Sequence, residues 1–508
     1  MKKLFKFGKM LFSRYILIII LLAIQIVALQ LFFYYLEEEY WWIRIIFWFL
    51  ELIIFFHLMN QKEAPEFKIP WMVIFLVFPL TGIIAYVFFK NHGIIRRHNI
   101  RLENLKNDTA KYFAKDENNI DIFENSNYDG GAFKYLERQN HFTSYSNCRV
   151  TYFETGEKYF EDIIKTLRLA KEFIFIEFFI IARGKLWTEI LEILEEKAAA
   201  GVDVKIIFDD IGSAGNMNHF YLQKLRKKGI EVVAFNKVIP ILSGIYNNRD
   251  HRKIVVVDHI AAYTGGNNLA DEYANIIERF GHWKDTGVKI EGKAINNLIA
   301  LFLQLYTLET KKKYDYDKLF NYEYEKYDDP GFVIPFGDGP KPFFKELIGE
   351  GNFLNMINTA KKSVYISTPY LIPTYPLISA IRNAALRGID IRIMLPGIPD
   401  KKLPYNLAKC YFKYLYDAGV KIYLYTPGFN HNKCVLVDEE LAFDGTINFD
   451  YRSLVHHFEC GVLMYKTPCI NDILNDFNNT FEKCELVVNP KKKFGLILSI
   501  ANLFAPLF

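Results

Sequence analysis

Residues 251–268 read HRKIVVVDHIAAYTGGNN, and residues 431–448 read HNKCVLVDEELAFDGTIN. Both stretches obey one pattern, HxKx4Dx6GxxN, which sets five residue types at fixed spacing. Because each type has a frequency of about 5%, a single match arises by chance in roughly one of ten thousand chains of this size. Two matches in one chain therefore indicate an internal duplication.

The duplication extends upstream of the two motifs. A helical pattern that ends at Gly201, before a short apolar strand, recurs 187 residues later at Gly388. The same pattern at Gly229 recurs 190 residues later at Gly419. Alternation of helices with short apolar strands predicts a layered α/β body. We therefore expect two duplicated α/β sandwich lobes, related by a pseudo-twofold axis.

The spacing within each motif indicates a phosphate site. His251 and Lys253 are two residues apart at the start of an apolar run, so on a strand both side chains point to one face. A lysine supplies positive charge to a phosphate, and an imidazole titrates near neutrality. Asparagine amides can donate hydrogen bonds to phosphoryl oxygens. The residues expected to bind the phosphate are Lys253, Asn268, Lys433 and Asn448.

Two such sets facing each other would place two histidines on opposite sides of one phosphorus atom. One imidazole attacks in line while the other protonates the leaving oxygen, and a covalent phosphohistidine divides the displacement into two easier steps. Lysines and asparagines offset the charge, so we expect neither a metal nor another cofactor. The expected catalytic set is His251, Lys253, Asp258, His431, Lys433 and Asp438, in which the two aspartates orient the turn after the strand.

The paired motifs resemble those of the phospholipase D superfamily and, within it, those of the bacterial cardiolipin synthases. Further stretches that carry the resemblance are residues 248–253, 265–273, 283–286, 368–370 and 448–454. The resemblance covers the chain from about residue 50 to its C-terminus. It implies a phospholipase D-type fold and transfer of a phosphatidyl group from one phosphatidylglycerol to another, which gives cardiolipin and glycerol.

The resemblance also implies roles for single residues. His251 would attack the first lipid, and His431 would protonate the released glycerol and then accept a proton from the second lipid's hydroxyl. An acidic residue is expected behind each histidine to set its tautomer. Asp285 fits this role in the first half and Glu459 in the second half.

Two positions depart from the family pattern. His457 stands where an asparagine is expected, and Gly287 stands where a histidine is common. Both lie outside the expected phosphate-binding set. They therefore bear on the fit of the substrate and leave the reaction type unchanged.

Other functions stay open at this point. The same active site could hydrolyse the lipid or transfer the phosphatidyl group to another acceptor, and a membrane-tethered phosphodiesterase or nuclease uses the same histidine pair. A net charge of +4 and the lack of a basic stripe interleaved with aromatic residues argue against nucleic acid as a partner. The six cysteines form no CxxC pair, which argues against a zinc ribbon or a thioredoxin-type site.

Three apolar runs, residues 15–36, 41–59 and 70–89, predict two or three transmembrane helices. Basic residues precede the first run and follow the third, and both groups favour the cytoplasmic side. Three full spans cannot satisfy both groups, so the number of spans stays open. We expect a multi-pass protein of the cell membrane with its catalytic body on the cytoplasmic side.

The chain therefore divides into five segments. A basic triplet and an apolar stretch at the C-terminus predict an anchor in the plane of an anionic membrane. The expected partners are phosphatidylglycerol and other anionic lipids, and a homo-oligomer stays open. The expected segments are a membrane segment over 1–92, a linker over 93–140, the first lobe over 141–330, the second lobe over 331–490 and a membrane-associated tail over 491–508.

Overall fold

The structure, a computed structural model, divides into two units. The first comprises the described parts of 1–95, 237–248 and 496–508, and the second those of 96–236 and 249–495. The structure describes residues 24, 27–28, 31–32, 34–35, 40–77, 82–83, 85–87, 93–113, 130–140, 142–238, 244–312, 314–341, 343–492 and 495–507.

The first unit is helical. Its helices are α1 (Trp41–Asn60), α2 (Pro65–Val77) and the last helix of the chain, α14 (Leu496–Phe504). A small cluster of Leu58, Trp71, Phe75 and Tyr86 forms its core. Many of its apolar side chains remain exposed, among them Trp48 on α1 and Ile497 on α14.

None of the helices among the described residues has the length and apolarity that crossing a bilayer requires. The first apolar run, residues 15–36, lies largely outside the described residues. In the second run, α1 contains Arg44 and Glu51. In the third run, the described residues are 70–77, 82–83 and 85–87, and the first of these stretches belongs to α2. The predicted transmembrane helices stay a prediction.

The second unit contains two large sheets. The first has seven strands in the order β1-β8-β6-β5-β2-β3-β4. Its strands are β1 (Arg149–Phe153), β2 (Phe173–Phe178), β3 (Asp203–Asp209), β4 (Glu231–Phe235), β5 (Lys253–Val257), β6 (Ala261–Gly265) and β8 (Gly287–Glu291). The apolar runs of β2, β3 and β5 are buried along nearly their whole length, as expected for strands covered by helices.

The second sheet has eight strands in the order β19-β13-β12-β10-β15-β16-β18-β9. Its strands are β9 (Phe332–Asp338), β10 (Ser363–Ser367), β12 (Asp390–Pro396), β13 (Lys421–Tyr425), β15 (Cys434–Val437), β16 (Leu441–Gly445), β18 (Glu459–Tyr465) and β19 (Cys484–Leu486). Two short parallel pairs complete the set, formed by β7 (His282–Lys284) with β14 (Gly428–Asn430) and by β11 (Leu371–Ile372) with β17 (Phe449–Asp450).

Strand pairing repeats from one sheet to the other. In the first sheet, β2 pairs parallel with β3 and antiparallel with β5. In the second, β10 pairs parallel with β12 and antiparallel with β15. The next strands, β6 and β16, and then β8 and β18, continue both sheets antiparallel. The two lobes are therefore copies of one α/β fold, as the duplication predicts, with β19 added to the second.

Helices cover both sheets. Trp187 and Ile190, on the helix Lys185–Ala199, pack with the strands in the core of the first lobe. The helices of the second unit are α3 (Gly93–Thr109), α4 (Gly131–Asn140), α5 (Gly156–Leu167), α6 (Lys185–Ala199), α7 (His219–Lys227), α8 (Ile295–Thr310), α9 (Tyr316–Phe320), α10 (Ile348–Thr359), α11 (Tyr375–Leu386), α12 (Lys402–Tyr416) and α13 (Cys469–Phe481). Helix α3 begins three residues before the boundary between the two units.

The expected linker over 93–140 contains ordered structure. Helix α4 buries Ala132, Phe133 and Leu136 completely and packs against α10 of the second lobe. The polar composition of the neighbouring residues conceals this helix in the sequence. Residues 114–129, in the middle of the expected linker, lie outside the described part.

Candidate active site

Each motif histidine lies just before a central strand. His251 precedes β5 and His431 precedes β15, and both side chains are buried. The lysine of each motif folds back toward its own histidine. The ammonium of Lys253 donates to the carbonyl oxygen of His251 at 2.5 Å, and Lys433 makes the same contact with His431. The lysines therefore occupy equivalent positions in the two lobes.

The carboxylate behind each histidine comes from the other lobe. Nδ1 of His251 lies 2.9 and 3.0 Å from the two carboxylate oxygens of Glu459. Nδ1 of His431 lies 2.7 Å from a carboxylate oxygen of Asp285. We expected each acid to serve the histidine of its own half, and that pairing was wrong.

Backbone pairing between the lobes explains the exchange. The N–H of His251 donates to the carbonyl of Phe458 at 2.9 Å, and Glu459 is the next residue. The N–H of His431 donates to the carbonyl of Lys284 at 2.7 Å, and Asp285 follows it. Each histidine is therefore hydrogen-bonded to the residue that precedes its acid, across the boundary between the lobes.

Hydroxyl groups hold the Glu459 carboxylate in place. Thr446 and Ser453 both donate to it, and all three side chains are buried. The backbone N–H of Thr286 donates to the Asp285 carboxylate at 3.0 Å. The sequence reasoning missed these groups, although Thr446 lies inside the second motif and Thr286 follows an expected acid.

Aromatic rings line both histidines. The ring centroid of Phe179 is 5.2 Å from that of His251, and the His457 ring is 5.4 Å from it. On the other side, the Tyr273 and Trp283 rings are 5.4 and 5.5 Å from the His431 ring. These contacts restrict rotation of the imidazoles and exclude water from their faces.

The two asparagines have different surroundings. The side-chain amide of Asn268 donates to the Tyr273 hydroxyl at 2.7 Å, and its oxygen accepts from the Ile180 N–H at 3.1 Å. One amide hydrogen of Asn268 remains for a phosphate. In the described structure the side-chain oxygen of Asn448 is buried and has no hydrogen-bond partner. Phosphate binding by Asn268 and Asn448 stays a prediction.

The motif aspartates lie far from the histidines. Asp258 comes after the last residue of β5, roughly 16 Å along the strand from Lys253 at about 3.3 Å per residue. Its carboxylate accepts three backbone N–H groups of residues 171–173, at 2.6 to 2.9 Å. Asp438 accepts those of residues 361–363 in the same way. The contacts fit the expected turn-orienting role and remove both aspartates from the catalytic set.

Burial governs the charges of the site. It lowers the pKa of Lys253 to about 8 and that of Lys433 to about 7. Burial, together with the Lys433 ammonium, lowers the pKa of His431 to about 4. Burial and the two lysines lower the pKa of His251 well below its usual value. An incoming phosphate anion would reverse these shifts, because it favours the charged forms of all four groups.

One group of side chains has the composition of a metal site. His251, His457 and Glu459 offer ligand atoms that all lie within 4.8 Å of one another. No magnesium-type cluster of three or more carboxylates was found among the described residues.

Comparison with known proteins finds one matching family and several similar sequences. The family described as "Cardiolipin synthase, PLD-like domain" matches residues 163–300 and 353–484. An uncharacterized protein of Streptococcus mutans is 40% identical over 457 residues, which cover 89% of this chain and 98% of that protein. A cardiolipin synthase of Halalkalibacterium halodurans is 33% identical over 438 residues, which cover 84% of each chain.

A solved structure shares the fold. The phosphatidylserine synthase of Haemophilus influenzae superposes with a TM-score of 0.56 at 16% identity, and the match covers 74% of this chain and 96% of that one. At this identity the similarity concerns the fold alone. Both lobes of the present chain therefore have a known structural counterpart.

Proposed function

Since the chain belongs to the cardiolipin synthase family with phospholipase D-like domains, we propose that it transfers a phosphatidyl group from one phosphatidylglycerol to another, giving cardiolipin and glycerol. The observation that carries the proposal is the pair of buried histidines, each supported by a carboxylate of the opposite lobe. Such a pair supplies a nucleophile and a general acid to one phosphodiester.

In the first step His251 is the nucleophile. Nδ1–H of His251 donates a hydrogen bond to Glu459, so the proton stays on Nδ1 and the lone pair of Nε2 is free to attack phosphorus. A P–N bond forms, the P–O bond to glycerol breaks, and protonated His431 gives its proton to the leaving oxygen. The choice of His251 over His431 follows the family resemblance of the first motif, since the two sites are built alike.

In the second step the roles of His431 reverse. The neutral imidazole takes the proton of the second lipid's terminal hydroxyl, whose oxygen attacks the phosphohistidine. The P–N bond breaks and cardiolipin leaves. Lys253 and Lys433 offset the negative charge on the phosphoryl oxygens in both steps, and Asn268 and Asn448 donate to the same oxygens.

We also propose that the first unit attaches the protein to the membrane. Exposed apolar side chains on α1 and α14, including Trp48, Phe49 and Ile497, support this role. The basic triplet before α14 favours an anionic surface, where each basic residue contributes about 1 kcal/mol. This proposal includes three further expectations from the sequence: the transmembrane helices, the cytoplasmic position of the catalytic body and the segment boundaries.

The test uses full-length protein reconstituted with labelled phosphatidylglycerol. We expect cardiolipin and glycerol in equal amounts from the wild type and no conversion by His251→Ala. His219→Ala is the matched control, because His219 begins the exposed start of α7 and should leave conversion unchanged. Phosphatidic acid as the sole product would identify a hydrolase, and DNA cleavage without lipid products would identify a nuclease. Either result would contradict the proposal.

A further inference from the structure

His457 has no role in the proposed reaction, yet it lies beside the proposed nucleophile. It stands two residues before Glu459, at the edge of β18, so both side chains point to the same face. Its side chain is 7% exposed. In the part of the chain that the structure describes, neither ring nitrogen makes a hydrogen bond of good geometry, although a carboxylate oxygen of Glu459 lies 3.5 Å from Nδ1.

A buried imidazole without a hydrogen-bond partner is unusual in a folded protein. Buried polar nitrogens are almost always hydrogen-bonded, because removing them from water without compensation costs free energy. The unpartnered nitrogens of His457 therefore indicate a ligand that binds between this ring and its neighbours.

The neighbours are suitable metal ligands. One carboxylate oxygen of Glu459 lies 3.5 Å from Nδ1 of His457 and 3.0 Å from Nδ1 of His251. In a tetrahedral zinc site, with bonds of about 2.0 to 2.1 Å, neighbouring ligand atoms are roughly 3.3 Å apart. The observed separations lie on both sides of this value, so small side-chain movements would complete the site.

We propose that His251, His457 and Glu459 form a binding site for a divalent transition-metal ion such as Zn²⁺, and that the bound ion inactivates the enzyme. Two imidazoles and one carboxylate provide three protein ligands and leave a fourth position for water. Imidazole ligands favour zinc and similar ions over magnesium and calcium, which prefer sites made of oxygen atoms.

Surrounding groups hold the three ligands in place. Thr446 and Ser453 donate to Glu459 and orient its carboxylate. The Phe179 ring lies 5.2 Å from the His251 ring and 6.4 Å from the His457 ring, so it restricts both imidazoles. Such outer contacts raise the affinity of a metal site. The nearby lysines oppose a cation, so we expect weaker binding than in a dedicated structural zinc site.

Inactivation follows from the chemistry of imidazole. A neutral imidazole has one nitrogen lone pair. When a metal takes the lone pair of Nδ1 in His251, the ring proton moves to Nε2, which can no longer attack phosphorus. When the metal binds Nε2, it blocks the attack directly. This consequence rests on the proposed function, whereas metal binding itself does not.

The test measures binding first, without lipid. Purified full-length protein is titrated with Zn²⁺ by calorimetry and with Co²⁺, whose visible absorption reports the ligand geometry. We expect one ion per chain at this site and a tetrahedral cobalt spectrum. His457→Asn should lower the affinity at least tenfold, whereas His219→Asn, at an exposed histidine of the first lobe, should not. Circular dichroism and thermal melting check that both variants are folded.

The second measurement is inhibition of lipid conversion by Zn²⁺, with each variant compared with its own metal-free rate. We expect chelator-reversible inhibition of the wild type and resistance of His457→Asn. Unchanged metal affinity in folded His457→Asn would overturn the proposal, as would a cobalt–thiolate band assigning the ion to cysteines. If no variant makes cardiolipin, the proposed function fails while the cobalt spectrum still tests the metal site.

Discussion

Glu459 lies against the imidazole of His251, although 208 positions of the chain and a lobe boundary separate the two residues. Asp285 and His431 repeat the relationship in the opposite direction. Each lobe therefore contributes the histidine of one histidine–carboxylate pair and the carboxylate of the other. The carboxylates should consequently support different roles in the reaction, Glu459 the nucleophilic attack and Asp285 the proton transfer.

The first prediction separates those two roles. Asp285→Asn and Glu459→Gln should each slow conversion of phosphatidylglycerol by roughly 100-fold, because each disturbs one histidine. A lipid analogue with a p-nitrophenol leaving group needs no proton from His431. We expect this analogue to restore the rate of p-nitrophenol release in Asp285→Asn and not in Glu459→Gln, as measured by the burst of p-nitrophenol.

The wild type, assayed on both substrates, is the control for this comparison. The reverse pattern, with Glu459→Gln rescued, would exchange the roles of the two histidines. Rescue of both variants would show that neither acid supports the nucleophile.

A second prediction concerns a glycine of the first motif. A Cβ atom at Gly266 would lie 1.9 Å from a carboxylate oxygen of Asp285. Gly266→Ala must therefore displace the acid that supports His431, and we expect it to reproduce the kcat loss and the substrate rescue of Asp285→Asn. Gly495→Ala is the matched control, because its added Cβ would meet no atom within 4 Å. Near-normal kcat in folded Gly266→Ala would refute the close approach.

The third prediction is a pH dependence set by the buried lysines. Their pKa values are lowered to about 8 for Lys253 and about 7 for Lys433, so the free enzyme loses its phosphate-binding charge above these values. The reaction also needs protonated His431, whose pKa is about 4 in the free enzyme, so we expect kcat/KM to fall with rising pH and to fall more steeply above about 7. Lys433→Arg keeps its charge, because arginine stays protonated. Where this variant is active, the fall should move to higher pH, in rates measured from pH 5 to pH 10.

The free energy of unfolding should rise with pH, whereas kcat/KM should fall. The lowered pKa of Lys433 means that the unfolded chain binds more protons between pH 7 and the usual lysine value of 10.5. The free energy of unfolding should therefore rise with pH over this window. Urea unfolding of the wild type at several pH values measures this free energy. A free energy of unfolding that falls between pH 7 and 10.5 would contradict the lowered pKa of Lys433.

The fourth prediction is that the motif aspartates stabilise the fold and take no part in the chemical steps. Asp258→Ala leaves three backbone N–H groups of residues 171–173 without their acceptor. We expect the free energy of unfolding to fall by about 2 kcal/mol, with a kcat per folded molecule close to that of the wild type. Asp438→Ala should behave alike. Loss of kcat in a fully folded Asp258→Ala would return this residue to the chemistry.

Much of this architecture follows from local sequence. The repeated spacing of His251 and His431 with their lysines predicted the duplication, the strands and the phosphate site, because a strand's side-chain alternation is a local property. The exchange of Glu459 and Asp285 did not follow, since it depends on how two lobes pair through backbone atoms of Phe458. The pairing of each acid with the histidine of the other lobe cannot be read from the periodicity of the sequence.

Helix α4 and His457 illustrate two further limits. The buried residues of α4, such as Phe133 and Leu136, lie next to polar sequence that resembles a linker, and only packing against the second lobe reveals them. His457 was recognised as a departure from the family pattern. Its unpartnered nitrogens became visible only when the positions of its neighbours were known.

The crossed carboxylates make the two halves of the polypeptide inseparable. If the chain were cut between β8 and β9 and either fragment were produced by itself, its imidazole would lack the acid that sets the tautomer, and its own acid would have no imidazole to serve. Each fragment should be inert, and activity should return only when both are mixed and reassociate. A substitution at the carboxylate of one half therefore impairs the histidine of the other half, and the two halves are constrained to change together.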